Sequence, residues 1–134
     1  MRIAILGATS GIAQAYARRR AAGTDFILAG RHEERLGAIA ADLIACGAAS
    51  AEPFAVDLAA IGGIETALHT LRARFGEPDE AVIAYGVLGE QAASERDLGV
   101  ARAIIDTNFT SAALWTLALL KDRPAGPFTL VGIG

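Results

Sequence analysis

The sequence predicts an α/β fold, a doubly wound parallel sheet with helices on both faces, and three observations predict it. Short apolar runs alternate with helical stretches along the whole 134 residues. Those runs are continuously apolar, which suits strands buried on both faces. The first run also breaks directly into a glycine turn that opens a helix.

Each element has a local reason. Arg2–Leu6 reads as the first strand and Gly11–Ala22 as a helix ended near Gly23. Asp25–Ala29 is the second apolar run. Glu33–Cys46 is helical, because Leu36, Ile39, Ala40 and Leu43 share one face. Glu33 and Glu34 put negative charge in its first turn, and Gly47 offers a stop. Glu52–Val56 follows as a third strand. Ile61–Phe75 reads as a third helix, with Ile64, Leu68, Leu71 and Phe75 at helical spacing. Glu80–Tyr85 is a fourth strand, followed by a loop with Gly86 and Gly89. A long helix is expected from Glu95 to Lys121, opened by a capping box of Ser94 and Asp97. Pro124 and Gly126 break it, and Phe128–Val131 reads as the fifth strand. No internal repeat or linker divides the chain, so residues 1–134 are expected to form one domain.

Composition excludes several classes of function. Twelve basic residues face fifteen acidic ones, and no basic block exceeds Arg18-Arg19-Arg20. There is no basic stripe with interleaved aromatics, so no nucleic-acid partner is expected. The single cysteine, Cys46, has no partner for an intrachain disulfide. The N-terminus has no signal-peptide layout, so a cytoplasmic location is expected. The strongest apolar stretch, Ala112–Leu120, is far shorter than the roughly 20 residues of a membrane span, so no membrane span is expected. His32 and His69 are isolated and read as surface helix residues, and no metal site is expected. Glu77, Asp79 and Glu80 flank Pro78 and read as a solvated loop.

The turn Gly7-Ala8-Thr9-Ser10-Gly11-Ile12-Ala13 carries the chemistry. Glycines let a ligand approach the backbone, and the helix N-terminus offers unpaired N–H groups and partial positive charge. The pyrophosphate of a dinucleotide is the natural occupant, although such turns also occur as plain strand-to-helix corners.

Four further segments fall in register with this turn: Ala29-Gly30-Arg31, Val56-Asp57-Leu58, Ile83-Ala84-Tyr85-Gly86 and Asp106-Thr107-Asn108-Phe109-Thr110. Together the set resembles the short-chain dehydrogenase/reductase family along the whole chain. The resemblance implies a Rossmann-type three-layer αβα sandwich with strand order 3-2-1-4-5. It implies a dinucleotide at the carboxyl ends of the strands, between the first and fourth. Gly7, Thr9, Ser10, Gly11 and Ile12 would line the phosphates, with Ala13 a variant of the family's third glycine. NAD-preferring members carry an acid at the end of the second strand. Here Gly30 holds that place and Arg31 follows. A guanidinium can bind a 2′-phosphate through forked, charge-assisted hydrogen bonds, so NADP(H) is expected over NAD(H). The alternative is that Arg31 is a solvated surface residue. Asp57 would accept from the adenine amino group and Leu58 would pack on the ring; Asp57 also suits a cap on the next helix.

The family's Asn-Ala-Gly is replaced by Ala84-Tyr85-Gly86, which would border ribose and nicotinamide with an aromatic wall. The run Ala84–Gly89 resembles a bacterial branch that includes keto-sugar reductases acting on lipid-linked pentose. Asn108 matches the family's helix asparagine, which helps hold a water in a proton relay; it is also read as an asparagine that caps or kinks the helix. Asparagine is a poor residue within a helix, since its side chain competes with the backbone.

In the family, hydride transfer between nicotinamide and a carbonyl/alcohol substrate uses a serine, and a tyrosine four residues before a lysine, beyond the fifth strand. Here Tyr16 and Tyr85 are followed four residues on by Arg20 and Gly89, Lys121 is preceded by Leu117, and the last serine is Ser111. No such triad exists, so the chain is expected to be truncated and not catalytic as it stands. It would derive from a longer oxidoreductase, a homo-oligomer acting on a small-molecule substrate. Its fifth strand would then form an exposed sheet edge. The alternatives are a non-catalytic dinucleotide sensor and a fragment of a related epimerase or dehydratase.

Overall fold

The computed structural model describes residues 1–133. Five strands, β1 (Arg2–Leu6), β2 (Asp25–Gly30), β3 (Ser50–Ala55), β4 (Glu80–Ile83) and β5 (Thr129–Gly132), form one sheet in the order β3-β2-β1-β4-β5. Every neighbouring pair is parallel, and β1 sits in the centre with Ile5 opposite Leu28 on one side and Val82 on the other. The chain runs outward from β1 to β3, returns to β4 beside β1, and continues to β5. This reversal leaves a crevice at the carboxyl ends of β1 and β4. Pro53 lies in β3, an edge strand, where a missing N–H is tolerated.

The central strands are apolar on both faces because both are covered. Ile3, Ile5, Phe26, Leu28 and Val82 point to the layer of α1 (Gly11–Arg19) and α2 (Glu33–Ala45). Ala4, Leu6, Ile27, Ala81 and Ile83 point to the opposite layer, which holds α3 (Ile64–Phe75) and α6 (Ser111–Leu120). Burying each large side chain contributes about 1.5–3 kcal/mol.

Boundaries moved where tertiary contacts outweighed local signals. The first helix ends at Arg19, three residues before Ala22, with Arg20 as its cap. The start of the third helix is a 3₁₀ turn, Ile61–Gly63. The expected long helix from Glu95 is divided. A short α4 (Gln91–Arg96) stops at Asp97, which caps α5 (Leu98–Ile105) by accepting from the Gly99 N–H at 2.8 Å. Ser94 bonds back to the Gln91 carbonyl and caps nothing. From Leu98 the chain stays helical to Leu120, through a π-helical segment at Asp106–Thr110. These 23 residues are long and apolar enough to cross a membrane by length and composition, which corrects the estimate made from Ala112–Leu120 alone. Within the helix, Ser111, Trp115 and Leu119 are buried, and the last two join the core against the sheet.

The acidic segment around Pro78 is a second correction. Glu80 is only 3% exposed. It accepts a hydrogen bond from the Tyr16 hydroxyl and pairs with Arg20 at 3.2 Å. Glu77 takes Arg72 and Arg123, each at 2.6 Å. Both carboxylates close the amino-end rim of the sheet.

Candidate functional site

A cleft of about 310 Å³ opens at the carboxyl ends of the strands. It is bounded by five segments that are far apart in sequence: the turn after β1, the end of β2 with the start of α2, the loop after β3, the end of β4 with the residues after it, and Thr107 of the π-helical segment. Of the sequence-predicted residues, Gly7, Thr9, Ser10 and Arg31 line it on one side. Asp57, Leu58, Ala84, Tyr85 and Gly86 line it on the other. Gly11 and Ile12 do not, and the Ile12 side chain is 63% exposed.

The turn after β1 is built for close approach. Gly7 has φ +93°, and a Cβ there would lie 2.7 Å from the Tyr85 Cβ and 2.8 Å from the Tyr85 nitrogen. The Gly7 and Ala8 N–H groups bond the Ala29 carbonyl, and Ser10 N–H bonds the Gly7 carbonyl. The Ser10 hydroxyl caps α1 by accepting from the Ala13 N–H at 3.4 Å. Among the described residues, the Thr9, Gly11 and Ile12 N–H groups are left without an acceptor. Those are the donors an anion at this helix start would use, and at Gly11 and Ile12 they are backbone groups.

The end of β2 supplies positive charge. Arg31, His32 and Arg35 all line the cleft. Arg31 and Arg35 are exposed and, among the described residues, neither pairs with a carboxylate. His32 occupies the N-cap position of α2, with no side-chain cap bond. The expectation of a surface helix residue missed its place at the cleft; the signal was its position beside Arg31. Arg35 was missed because a helical arginine carries no mark of the direction it faces.

The loop after β3 is tied on two sides. Val56 N–H bonds the Gly30 carbonyl at 2.8 Å. Asp57 Oδ1 accepts from Ala59 N–H at 3.0 Å and closes a local turn, while the cap position of the next helical segment is Ala60, so Asp57 is not that helix's cap. The Leu58 carbonyl accepts from the Trp115 indole N–H at 2.9 Å.

At the end of β4, Gly86 lets Asn108 approach: a Cβ there would meet the Asn108 Oδ1 at 3.0 Å. The Asn108 carboxamide accepts from the Val87 N–H and donates to the Val87 carbonyl, both at 2.7 Å. Asn108 lies in the π-helical segment and does not line the cleft. It clamps the loop that does, which accounts for an asparagine within the helix. Ser111 donates to the Thr107 carbonyl at 2.7 Å, so the Tyr85 hydroxyl donates to Ser111 at 2.8 Å. Burial pushes the Tyr85 phenol above its ordinary value, with the Ser111 bond opposing. Among the described residues there is no cluster of metal-ligating side chains.

This crevice lies at the reversal of strand order of an open α/β sheet, and the sequence comparison identifies the lineage. The sequence profile of short chain dehydrogenases matches residues 1–126. The chain belongs to the short-chain dehydrogenase family. Members of that family are oxidoreductases that use a nicotinamide dinucleotide.

Two relatives within the short-chain dehydrogenases come from Mycobacterium tuberculosis. An uncharacterized oxidoreductase is 38% identical over 133 residues, which is 96% of this chain and 52% of that protein. An indene-carboxyl-CoA reductase is 31% identical over 123 residues, 89% of this chain and 47% of that protein. The chain thus spans about half the length of the curated relatives it matches. A short-chain type dehydrogenase/reductase from Mycobacterium marinum superposes with a TM-score of 0.81 at 28% identity, over 98% of this chain and 54% of that one.

Proposed function

We propose that the cleft holds the adenosine and diphosphate portion of NADP(H). This chain would then supply the cofactor-binding part of an oxidoreductase that moves hydride between nicotinamide and a carbonyl/alcohol pair on a small molecule. One observation carries the reading: Thr9 with its open N–H, Arg31, which has no carboxylate partner among the described residues, and the Asp57 carboxylate all line one crevice at the reversal of strand order. They fit three parts of one ligand: the diphosphate, the 2′-phosphate and the adenine amino group.

Arg35 and His32 strengthen the preference for a 2′-phosphate over a 2′-hydroxyl, because both stand beside Arg31 at the same wall. The part of Asn108 in this reading is to hold the loop at Val87, since both polar atoms of its carboxamide are engaged there. No tyrosine in these residues precedes a lysine by four. We therefore assign binding and orientation of the cofactor to this chain, and no proton transfer to the substrate.

The test is a calorimetric titration of the chain with NADPH and, separately, NADH. Saturable binding that favours NADPH is expected. Equal affinity would remove the 2′-phosphate assignment, and no binding to a folded sample would remove the whole reading.

A further inference from the structure

The geometry points to Trp115 as a positioning residue for adenine recognition, acting through the Leu58 carbonyl. This inference rests on the proposed placement of adenine against Asp57 and Leu58. Trp115 is the chain's one tryptophan, and it is completely buried in the helical layer. A tryptophan in that layer needs only to fill space, yet its Nε1 donates to Leu58 across 57 positions of sequence. A buried indole N–H seeks an acceptor, and the acceptor here is the backbone of the loop that borders the cleft.

The loop has few internal constraints. Val56 ties its start to β2, and Asp57 closes a tight turn with Ala59 and Ala60. Between those ties, the bond from Trp115 fixes the Leu58–Ala59 peptide, whose N–H donates to the Asp57 carboxylate. The exposed Asp57 carboxylate is therefore aimed from behind, by a residue that never reaches the cleft. The tie also comes from a rigid support, since the same stretch of helix holds the end of β4 through Asn108 and Ser111. A hydrogen bond to a charged acceptor depends strongly on direction. Loss of the support would blur the choice between a base that donates at this point and one that accepts.

The experiment compares NADPH with its hypoxanthine analogue, in which the adenine amino group is an oxo group. Affinities are measured by calorimetry for the chain and for Trp115→Phe, which keeps an apolar aromatic ring, though a smaller one, and removes the N–H donor. The unaltered chain is expected to prefer the adenine form by about tenfold, the scale of one charge-assisted hydrogen bond. In Trp115→Phe that preference is expected to fall to within about twofold, with the diphosphate contacts retained. A variant that binds both ligands more weakly in the original ratio would overturn the positioning role and leave the cofactor reading intact. An unaltered chain with no preference would overturn the adenine placement, and this inference with it.

If Trp115→Phe does not fold, the unaltered chain decides by fluorescence. The emission of Trp115 should change on saturation with 2′-phospho-ADP-ribose and stay constant with nicotinamide mononucleotide. An emission that ignores the adenine ligand would also overturn the role.

Discussion

At the amino rim of the sheet, Glu80 is enclosed by Tyr16 and Arg20, and Glu77 by Arg72 and Arg123. At the carboxyl rim, Arg31 and Arg35 face an open cleft with no carboxylate partner among the described residues. The strands are the same; the helices enter and leave them at opposite ends. Helix α1 begins at the carboxyl rim, where its free N–H groups and positive end favour an anion. It finishes at the amino rim, where its last side chains reach back to Glu80. One rim pairs its charges within the chain, and the other leaves Arg31 and Arg35 without a carboxylate partner among the described residues.

The strongest way to break this contrast is to fill the open rim from below. Gly7→Ala would drive a methyl group into Tyr85 and Ala84 at a φ that L-residues rarely adopt. It should cost on the order of 3 kcal/mol of stability, read by denaturant unfolding, and abolish NADPH binding. A loss below about 1 kcal/mol would show that the strand end yields to the added carbon.

The closed rim should respond in the opposite sense. Glu80→Ala removes the buried carboxylate that the Tyr16 hydroxyl and the Arg20 guanidinium share, and should cost about 2 kcal/mol. The value is set at the low end because the Arg20 side chain is 36% exposed. NADPH affinity, measured on the folded fraction, should stay unchanged. A comparable loss of binding would mean that the two rims are coupled through β4.

Arg31→Asp sharpens the comparison from the open side. NADPH binding should weaken by about 1–3 kcal/mol while NADH binding changes little. Stability should stay within about 0.5 kcal/mol, as for an exposed residue. Equal losses for both cofactors would return Arg31 to a surface role.

The smallest effect is alkaline. Burial, and then the hydrogen bond and charge of Glu80, raise the Tyr16 phenol above its ordinary value. The proton is held more tightly in the folded chain than in the unfolded one. Its contribution to stability is full below pH about 10 and is lost as pH rises through the folded value. Tyr85 shifts in the same direction. Tyr16→Phe should therefore flatten part of the decline in melting temperature above pH 10 and leave the remainder to Tyr85. An unchanged slope would place Tyr16 outside the linkage.

Much of this was legible in the chain itself. Continuous apolar runs such as Ile3–Leu6 and Phe26–Ala29 specify strands buried on both faces, because only a covered parallel sheet accepts them. The glycine turn specifies a close approach to backbone, because at φ +93° a side chain has no room. The sheet order β3-β2-β1-β4-β5 is the one that the resemblance to the short-chain dehydrogenase/reductase family implies. Tertiary structure alone decided how the charges were used. Glu80 reads in sequence as part of a solvated loop, since its partners lie 60 and 64 positions away. Asn108 reads as a misfit until Val87 comes within reach, and Trp115 as simple core until Leu58 does. Hydrophobic periodicity is local and survives in one dimension. A hydrogen bond between distant segments depends on distances of a few ångströms, and those exist only after the chain has folded.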